Sequence, residues 1–254
     1  MSAPQAPSSP VKLDHVAFGV PDVTAVVPFV VGQLGGRELD VGPGGGFRWW
    51  QWQFEGGGAL EILEPDGPPD GFLHRFLKAR GGPAPHHVTF KVPDLRAAME
   101  RARALGHDVV GVDASSPSWM EAFLHPKKAQ GIVVQIVESH PGTGDWKEDG
   151  AYRFPDAPAD VPAPVTLLGV RLNAHAEERA RAQWSELLRG SCEREDGTLV
   201  FRWPDSPLRL AVQVDPARPE GPLALEVAAD RDLRLPEGPH PTLGLPVVQV
   251  EERT

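Results

Sequence analysis

The sequence predicts an α+β fold assembled from paired β-α-β-β-β modules, and three observations carry that prediction. The pattern His-Val-x-Phe-x-Val-Pro-Asp occurs twice, at His15–Asp22 and at His87–Asp94. Each copy has the period-two alternation of a half-buried strand, and each leads into a helical pattern opened by an aspartate. Between and after the copies, short strand-like runs recur with glycine-rich turns between them.

In chain order, Leu13–Val20 is the first strand. Asp22 can cap a helix that runs to about Leu34, although Pro28 and several valines weaken it. Arg37–Val41, the alternating aromatic run Phe47–Phe54 and Ala59–Glu64 complete the first module as strands, separated by Gly42–Gly46 and Gly56–Gly58. Asp70–Arg80 reads as a short connecting helix stopped by Gly81. The second module opens with strand His86–Val92. A helix follows from Leu95 to about Leu105, with apolar residues at helical spacing and Asp94 as cap. Val109–Val112, a polar loop over Asp113–Ser118, Met120–Leu124 and Gly131–Val137 finish it.

The domain plan that follows is a disordered leader over residues 1–11, a two-module domain over 12–140, a Pro/Gly/Ala-rich linker over 141–164, and a second half over 165–254. That half offers strand Val165–Asn173, helix Ala174–Arg189, a hairpin of Thr198–Trp203 with Leu208–Val214, strand Pro222–Val227 and a last strand within Leu243–Glu251. It reads as the same unit a third time with a shortened fourth. Gly169 and Val170 stand where the first-strand histidine would be, so the half is expected to keep the scaffold without metal ligands.

Composition narrows the functional classes. With 254 residues and 41% hydrophobic content the chain can build a real core. A net charge of −10 without a Lys/Arg cluster argues against a nucleic-acid partner. No apolar run has the roughly eighteen residues of a membrane span. The residues before Pro10 lack the basic and apolar regions of a signal peptide. Cys192, the single cysteine, excludes an internal disulfide and fits a reducing cytoplasm. The 28 prolines and 27 glycines resemble GC-rich bacterial coding. The expected partner is a small molecule bound by a monomer or homodimer.

The chemistry concentrates at matched positions of the repeat. His15 and His87 lie on the first strands. Glu61, between Leu60 and Ile62, and Gln135, between Val134 and Ile136, lie on the last strands, each facing away from its apolar neighbours. Imidazoles and a carboxylate converging from separate strands are the usual ligands of a divalent metal. Alternation turns His86 away from the face that His87 shares with Thr89 and Lys91.

The segments Leu13-Asp14-His15-Val16, Leu60-Glu61-Ile62-Leu63-Glu64-Pro65, His86-His87-Val88, Phe123-Leu124-His125-Pro126-Lys127 and Gly131-Ile132-Val133-Val134-Gln135 resemble, in order and spacing, the vicinal oxygen chelate superfamily, in its glyoxalase I and methylmalonyl-CoA epimerase branch. The resemblance implies the glyoxalase/bleomycin-resistance/dioxygenase fold. It also implies a divalent ion (Zn, Ni, Co, Mn or Fe) held by His15, Glu61, His87 and Gln135. The fourth position is usually glutamate in that family, so the site here carries one negative charge fewer. Glu138 points to the other face and does not replace it. The epimerase pattern also has an acid just before the third strand, where this chain has Gly44-Gly45-Gly46. Two-sided proton transfer needs two bases, so methylmalonyl-CoA is not the expected substrate.

Trp49, Gln51 and Gln53 share one face of their strand, and Arg48, Trp50 and Trp52 the other; one face should line the cavity. Trp49, Trp50, Gln51, Trp52 and Trp119 are therefore the candidate substrate-binding residues. The leading expectation is a metal-dependent lyase or isomerase working through an enolate-like intermediate, with Glu61 as the base. Two rivals stand beside it. One is an iron dioxygenase, since two histidines and a carboxylate also make an iron site. The other is a binding or resistance protein without catalysis.

Overall fold

The computed structural model describes residues 10–140 and 152–251. The expected leader thus falls outside the described residues except for Pro10 and Val11, and the expected linker except for residues 152–164.

The first half forms an eight-stranded sheet. Its strands are β1 (Lys12–Gly19), β2 (Arg37–Pro43), β3 (Phe47–Gln53), β4 (Ala59–Pro65), β5 (Ala84–Lys91), β6 (Val109–Ser116), β7 (Trp119–Leu124) and β8 (Val133–Ser139), in the spatial order β2-β3-β4-β1-β5-β8-β7-β6. Each module pairs its first and last strands in parallel, β1 with β4 and β5 with β8, and the modules join through the antiparallel pair β1–β5. The four strands expected to hold the ligands are therefore the four central strands.

The second half forms a six-stranded sheet of β9 (Thr166–Ala174), β10 (Ser191–Glu195), β11 (Thr198–Arg202), β12 (Arg209–Val214), β13 (Gly221–Ala228) and β14 (Val247–Gln249), ordered β10-β11-β12-β9-β13-β14. This repeats the first six positions of the larger sheet. The third module is complete and the fourth is reduced to two strands. The polar edge strand β10 carries no apolar alternation and is not read from the sequence.

Helices pack on one face of each sheet. The stretch expected to be one helix to Leu34 is instead a 3-10 turn, Val23–Ala25, followed by the single turn α1 (Val27–Val30). Pro28 lacks the N–H that a longer helix would need there. The segment is held by burial of Val23, Val27, Phe29 and Val30. The connecting helix is α2 (Phe72–Arg80). By contrast α3 (Leu95–Ala104) is regular, with Asp94 Oδ1 accepting from Ala97 N at 2.8 Å. The helix of the second half starts as α4 (Glu177–Arg181) and continues as a π-helical stretch, Ala182–Leu187. Strand β6 runs through the expected polar loop at 113–118. Its backbone pairs with β7, Asp113 with Glu121 and Ser116 with Trp119, while most of its side chains stay exposed.

The two halves share one core. Phe90 of β5 packs against Trp203 (ring centroids 4.8 Å apart) and Trp184 (6.0 Å). Trp184 also donates its indole N–H to Gln130 Oε1 at 3.2 Å, and Gln130 Nε2 donates to Gln183 Oε1 at 3.0 Å. These amides are buried, so each hydrogen bond removes a desolvation cost of about 1–3 kcal/mol. No helix among the described residues is long and apolar enough to cross a membrane.

Candidate metal centre

Strand alternation and one irregularity place His15. The β1–β5 register shifts between Leu13 and His15, and the bulge sets Asp14 beside the histidine, with Asp14 Oδ2 3.0 Å from His15 Nδ1. Lys91 Nζ holds the other oxygen of Asp14 at 3.0 Å. Next to β1, Glu61 of β4 pairs in register with Gln51 of β3, which donates Nε2–H to Glu61 Oε2 at 2.8 Å. His87 of β5 completes the group. Its Nε2 is 3.6 Å from Glu61 Oε1, and His15 Nε2 is 3.5 Å from Glu61 Oε2.

Among the described residues, His15, Glu61 and His87 bring one ligand atom each to within 4.8 Å of one another. Ligands about 2.1 Å from a tetrahedral ion lie about 3.4 Å apart, close to the two distances above. The side chains are buried: His15 is 1% exposed, His87 4% and Glu61 8%. Among the described residues, His87 Nε2 has no hydrogen-bond partner. A buried nitrogen lone pair facing a carboxylate at ligand spacing is what an ion would satisfy, so these residues fit a divalent metal.

Electrostatics points the same way. Burial would lower the His15 pKa, but the Glu61 charge and the hydrogen bond and charge of Asp14 outweigh it and hold it above its ordinary value. Burial pushes Glu61 up, against the His15 charge and the Gln51 hydrogen bond. Burial, with His86 and His15 adding to it, keeps His87 well below its ordinary value and so neutral. For Asp14 burial is outweighed by His15 and Lys91, which hold it far below the carboxylate range. Protons held at His15 and Glu61 are ones that a cation would displace.

Gln135 lies on the same face, in register with Thr89. Its Oε1 accepts from Thr89 Oγ1 at 2.6 Å, and its Nε2 donates to Glu121 Oε2 at 2.6 Å. Thr89 Oγ1 is also 2.9 Å from His15 Nε2. The amide oxygen is therefore turned toward the histidine side and the NH2 away from it. Glu121, on β7, also accepts from Trp119 Nε1 at 3.0 Å.

The sequence reasoning passed over Glu121, Asp14 and Thr89. The alternation Glu121-Ala122-Phe123-Leu124 puts Glu121 on the face opposite the buried Ala122 and Leu124 and was the available signal. His86, expected to turn away, has its Nδ1 2.7 Å from Nδ1 of His87. A second register shift, between Ala17 and Phe18, leaves His86 without a partner on β1 and breaks the alternation. Glu138 does lie on the other face, where it caps α3 through Leu95 N at 2.8 Å.

Of the aromatic candidates, Trp49 and Gln51 are on the side of Glu61, and Trp119 is on the side of Gln135. Trp50 and Trp52 are on the opposite face, 3% and 1% exposed. There Trp50 Nε1 donates to Arg153 O at 3.1 Å and Trp52 packs on Phe154, so neither reaches the candidate metal centre. Gly44 N and Gly46 N bond to Phe47 O and Gly44 O, which leaves neither amide for an anion.

In the second sheet, matched register puts Gly169, Ala211, Ala224 and Val248 at the places of His15, Glu61, His87 and Gln135. Glu226, at the place of Thr89, is fully buried and bound by Arg171 and by Arg209 at 3.1 Å. An ion pair cluster stands where the first sheet has its candidate ligands.

Residues 14–123 match the glyoxalase/bleomycin resistance protein/dioxygenase superfamily. With the module order and the site above, residues 14–123 carry a domain similar to this vicinal oxygen chelate superfamily. Among solved structures it is similar to methylmalonyl-CoA epimerase from Mycobacterium tuberculosis, at 25% identity over 51% of this chain and 88% of that one, TM-score 0.46. It is also similar to a variant of the Streptomyces coelicolor methylmalonyl-CoA epimerase in complex with 2-nitronate-propionyl-CoA, at 26% identity over 52% and 99%, TM-score 0.46. A variant of 4-hydroxymandelate synthase from Streptomyces coelicolor aligns over 87% of this chain and 72% of that one, at 17% identity with a TM-score of 0.59. That alignment extends the likeness of fold to both halves. No curated protein matches the sequence.

Proposed function

We propose that the protein is a metal-dependent enzyme of lyase or isomerase type, acting on a small substrate that chelates the ion through two neighbouring oxygens. The observation that carries this is the convergence of His15, Glu61 and His87 at ligand spacing around the unpartnered His87 Nε2. A bound divalent ion would polarise the chelated carbonyl and lower the cost of an enolate-like intermediate.

The chain's own residues do the rest. His15 is oriented by Asp14, and Glu61 by Gln51. Gln135 presents its oxygen from the side of Thr89. Removal of a proton beside the carbonyl needs a carboxylate free of protons within reach. Glu61 comes from the β4 side and Glu121 from the β7 side, so two carboxylates flank the centre. On this reading Glu61, freed of its proton once an ion is bound, and Glu121 are the two carboxylates that could serve as bases, where the sequence had offered only Glu61.

The test is proton NMR in D2O of a panel of 2-oxo acids, 2-hydroxy ketones and 2-methyl-3-oxo thioesters with the zinc- or cobalt-loaded protein. Metal-dependent loss of the proton next to the carbonyl is the expected result; a full panel without exchange would sink the reading. A second reading is favoured by the ligand set itself, since two histidines and one carboxylate are also the ligands of oxygen-activating iron enzymes. Iron in protein purified without added metal, with oxygen uptake on adding a 2-oxo acid or a catechol, selects it.

A further inference from the structure

We propose that His86 is a positioning residue for the metal centre: a strand bulge sets its imidazole against His87, and this contact fixes the tautomer that leaves His87 Nε2 free for an ion. The inference rests on the metal reading above and adds a function to a histidine outside the ligand set.

The register carries it first. Ala17 pairs with His87 and Phe18 with Pro85, so His86 is the extra residue of a bulge. A regular strand would place the two adjacent rings on opposite faces; the bulge brings their Nδ1 atoms to 2.7 Å. Two ring nitrogens at that distance share one proton. The other end of His87 decides which ring owns it. His87 Nε2 is buried and makes no hydrogen bond among the described residues; Glu61 Oε1, 3.6 Å away, lies beyond hydrogen-bond distance. A proton there would be an unsatisfied buried donor. The proton therefore sits on His87 Nδ1 and is donated to the lone pair of His86 Nδ1, and Nε2 keeps its own lone pair toward Glu61.

The packing holds His86 in this role. Its ring is edge-on to Phe72 and Phe76 of α2, with centroids 5.6 and 4.8 Å away. Phe72 in turn meets Phe47 at the start of β3, 5.8 Å away. The two ligand histidines thus have different supports: a carboxylate behind His15 and a neutral ring behind His87. Such partners typically set metal affinity by about 10–100-fold.

The experiment titrates cobalt(II) into wild type, His86→Phe and His86→Asn, read by visible absorption, alongside thermal unfolding of each metal-free protein. Asparagine returns an acceptor oxygen near the position of Nδ1; phenylalanine fills the same space without one. The expected result is a roughly 10–100-fold weaker cobalt affinity for His86→Phe with recovery in His86→Asn. Wild-type affinity in a folded His86→Phe overturns the inference. Wild type that takes up no cobalt overturns the metal reading itself. Long-range 1H–15N spectra of metal-free wild type give an independent readout if His86→Phe does not fold. Nδ1–H on His87 is expected, and Nε2–H overturns the inference.

Discussion

Gln135 donates Nε2–H to Glu121 Oε2 across 2.6 Å while its Oε1 accepts from Thr89. An amide can satisfy both neighbours, because it offers a donor on one side and an acceptor on the other. A carboxylate at this position would face Glu121 as one anion against another. The neutral residue on β8 and the acid on β7 are therefore a matched pair, and the charge expected at residue 135 is displaced by one strand.

Gln135→Glu should accordingly destabilise the metal-free protein. The hydrogen bond is lost and two carboxylates meet in a partly buried place, a change of about 1–3 kcal/mol. A saturating divalent ion should recover most of it, because the new carboxylate gains a cation to face. Thermal unfolding with chelator and with zinc checks both halves; equal midpoints for variant and wild type in chelator would contradict the pairing.

His87→Ala should remove the response to metal. A ligand at about 100 times its dissociation constant stabilises the folded state by about 2.7 kcal/mol when it does not bind the unfolded chain. Wild type should show a shift of that order in unfolding midpoint with zinc or cobalt, and His87→Ala none. A wild-type-sized shift in the variant would place the ion elsewhere.

The Asp14–His15 pair sets a pH window. His15 has a folded pKa above its ordinary 6.5. Its contribution is complete below that value and is lost as pH rises through the raised one. Asp14 is held below its ordinary 3.8. Its contribution is present above that value and disappears only as pH falls through the depressed one. Glu61, raised from 4.5, also favours the protonated folded state and loses stability in the direction of rising pH. His86 and His87, held below the ordinary 6.5, work the other way and gain stability as pH rises toward that value. In chelator, the unfolding midpoint should therefore decline above about pH 7, where only the raised His15 still titrates. Asp14→Asn should flatten that decline, because part of the elevation of His15 comes from Asp14. A midpoint that rises from about pH 7 to about pH 9 in wild type would refute the assignment.

Glu226→Ala should cost about 3 kcal/mol, since it strips Arg171 and Arg209 of a fully buried partner. Arg171→Met should cost less, because that guanidinium is a third exposed and water can replace the partner. Neither should change cobalt affinity, as both residues lie in the second sheet, away from the candidate ligands. Urea unfolding and cobalt titration of the two variants check this.

Much of this is legible in the amino-acid order because strands write their facing into the sequence. His15, Glu61 and His87 each sit beside apolar residues that must face the core, and that alternation alone turns the three toward one side. Asp94 and the spacing of Leu95, Ala98 and Ala102 fix α3 in the same local way. The stretch after Asp22 was not legible. Its valines and Pro28 oppose a helix, and burial under the sheet decides the outcome as two short turns. The second half of β6, read as loop from Asp113 on, and strand β10 were hidden because an exposed edge is held by backbone pairing, which leaves no hydrophobic pattern.

The sequence by itself determined the repeat, the face on which the two histidines and the glutamate lie, and the absence of those residues from the second half. Only the tertiary structure decided which neighbours act on them. Register across strands far apart in the chain brings Glu121 to Gln135, Gln51 to Glu61 and Thr89 to His15. Two bulges bring Asp14 and His86 beside the histidines that strict alternation would have turned from them. Alternation is a property of one strand, whereas register and bulges belong to pairs of strands, and only the assembled sheet contains them.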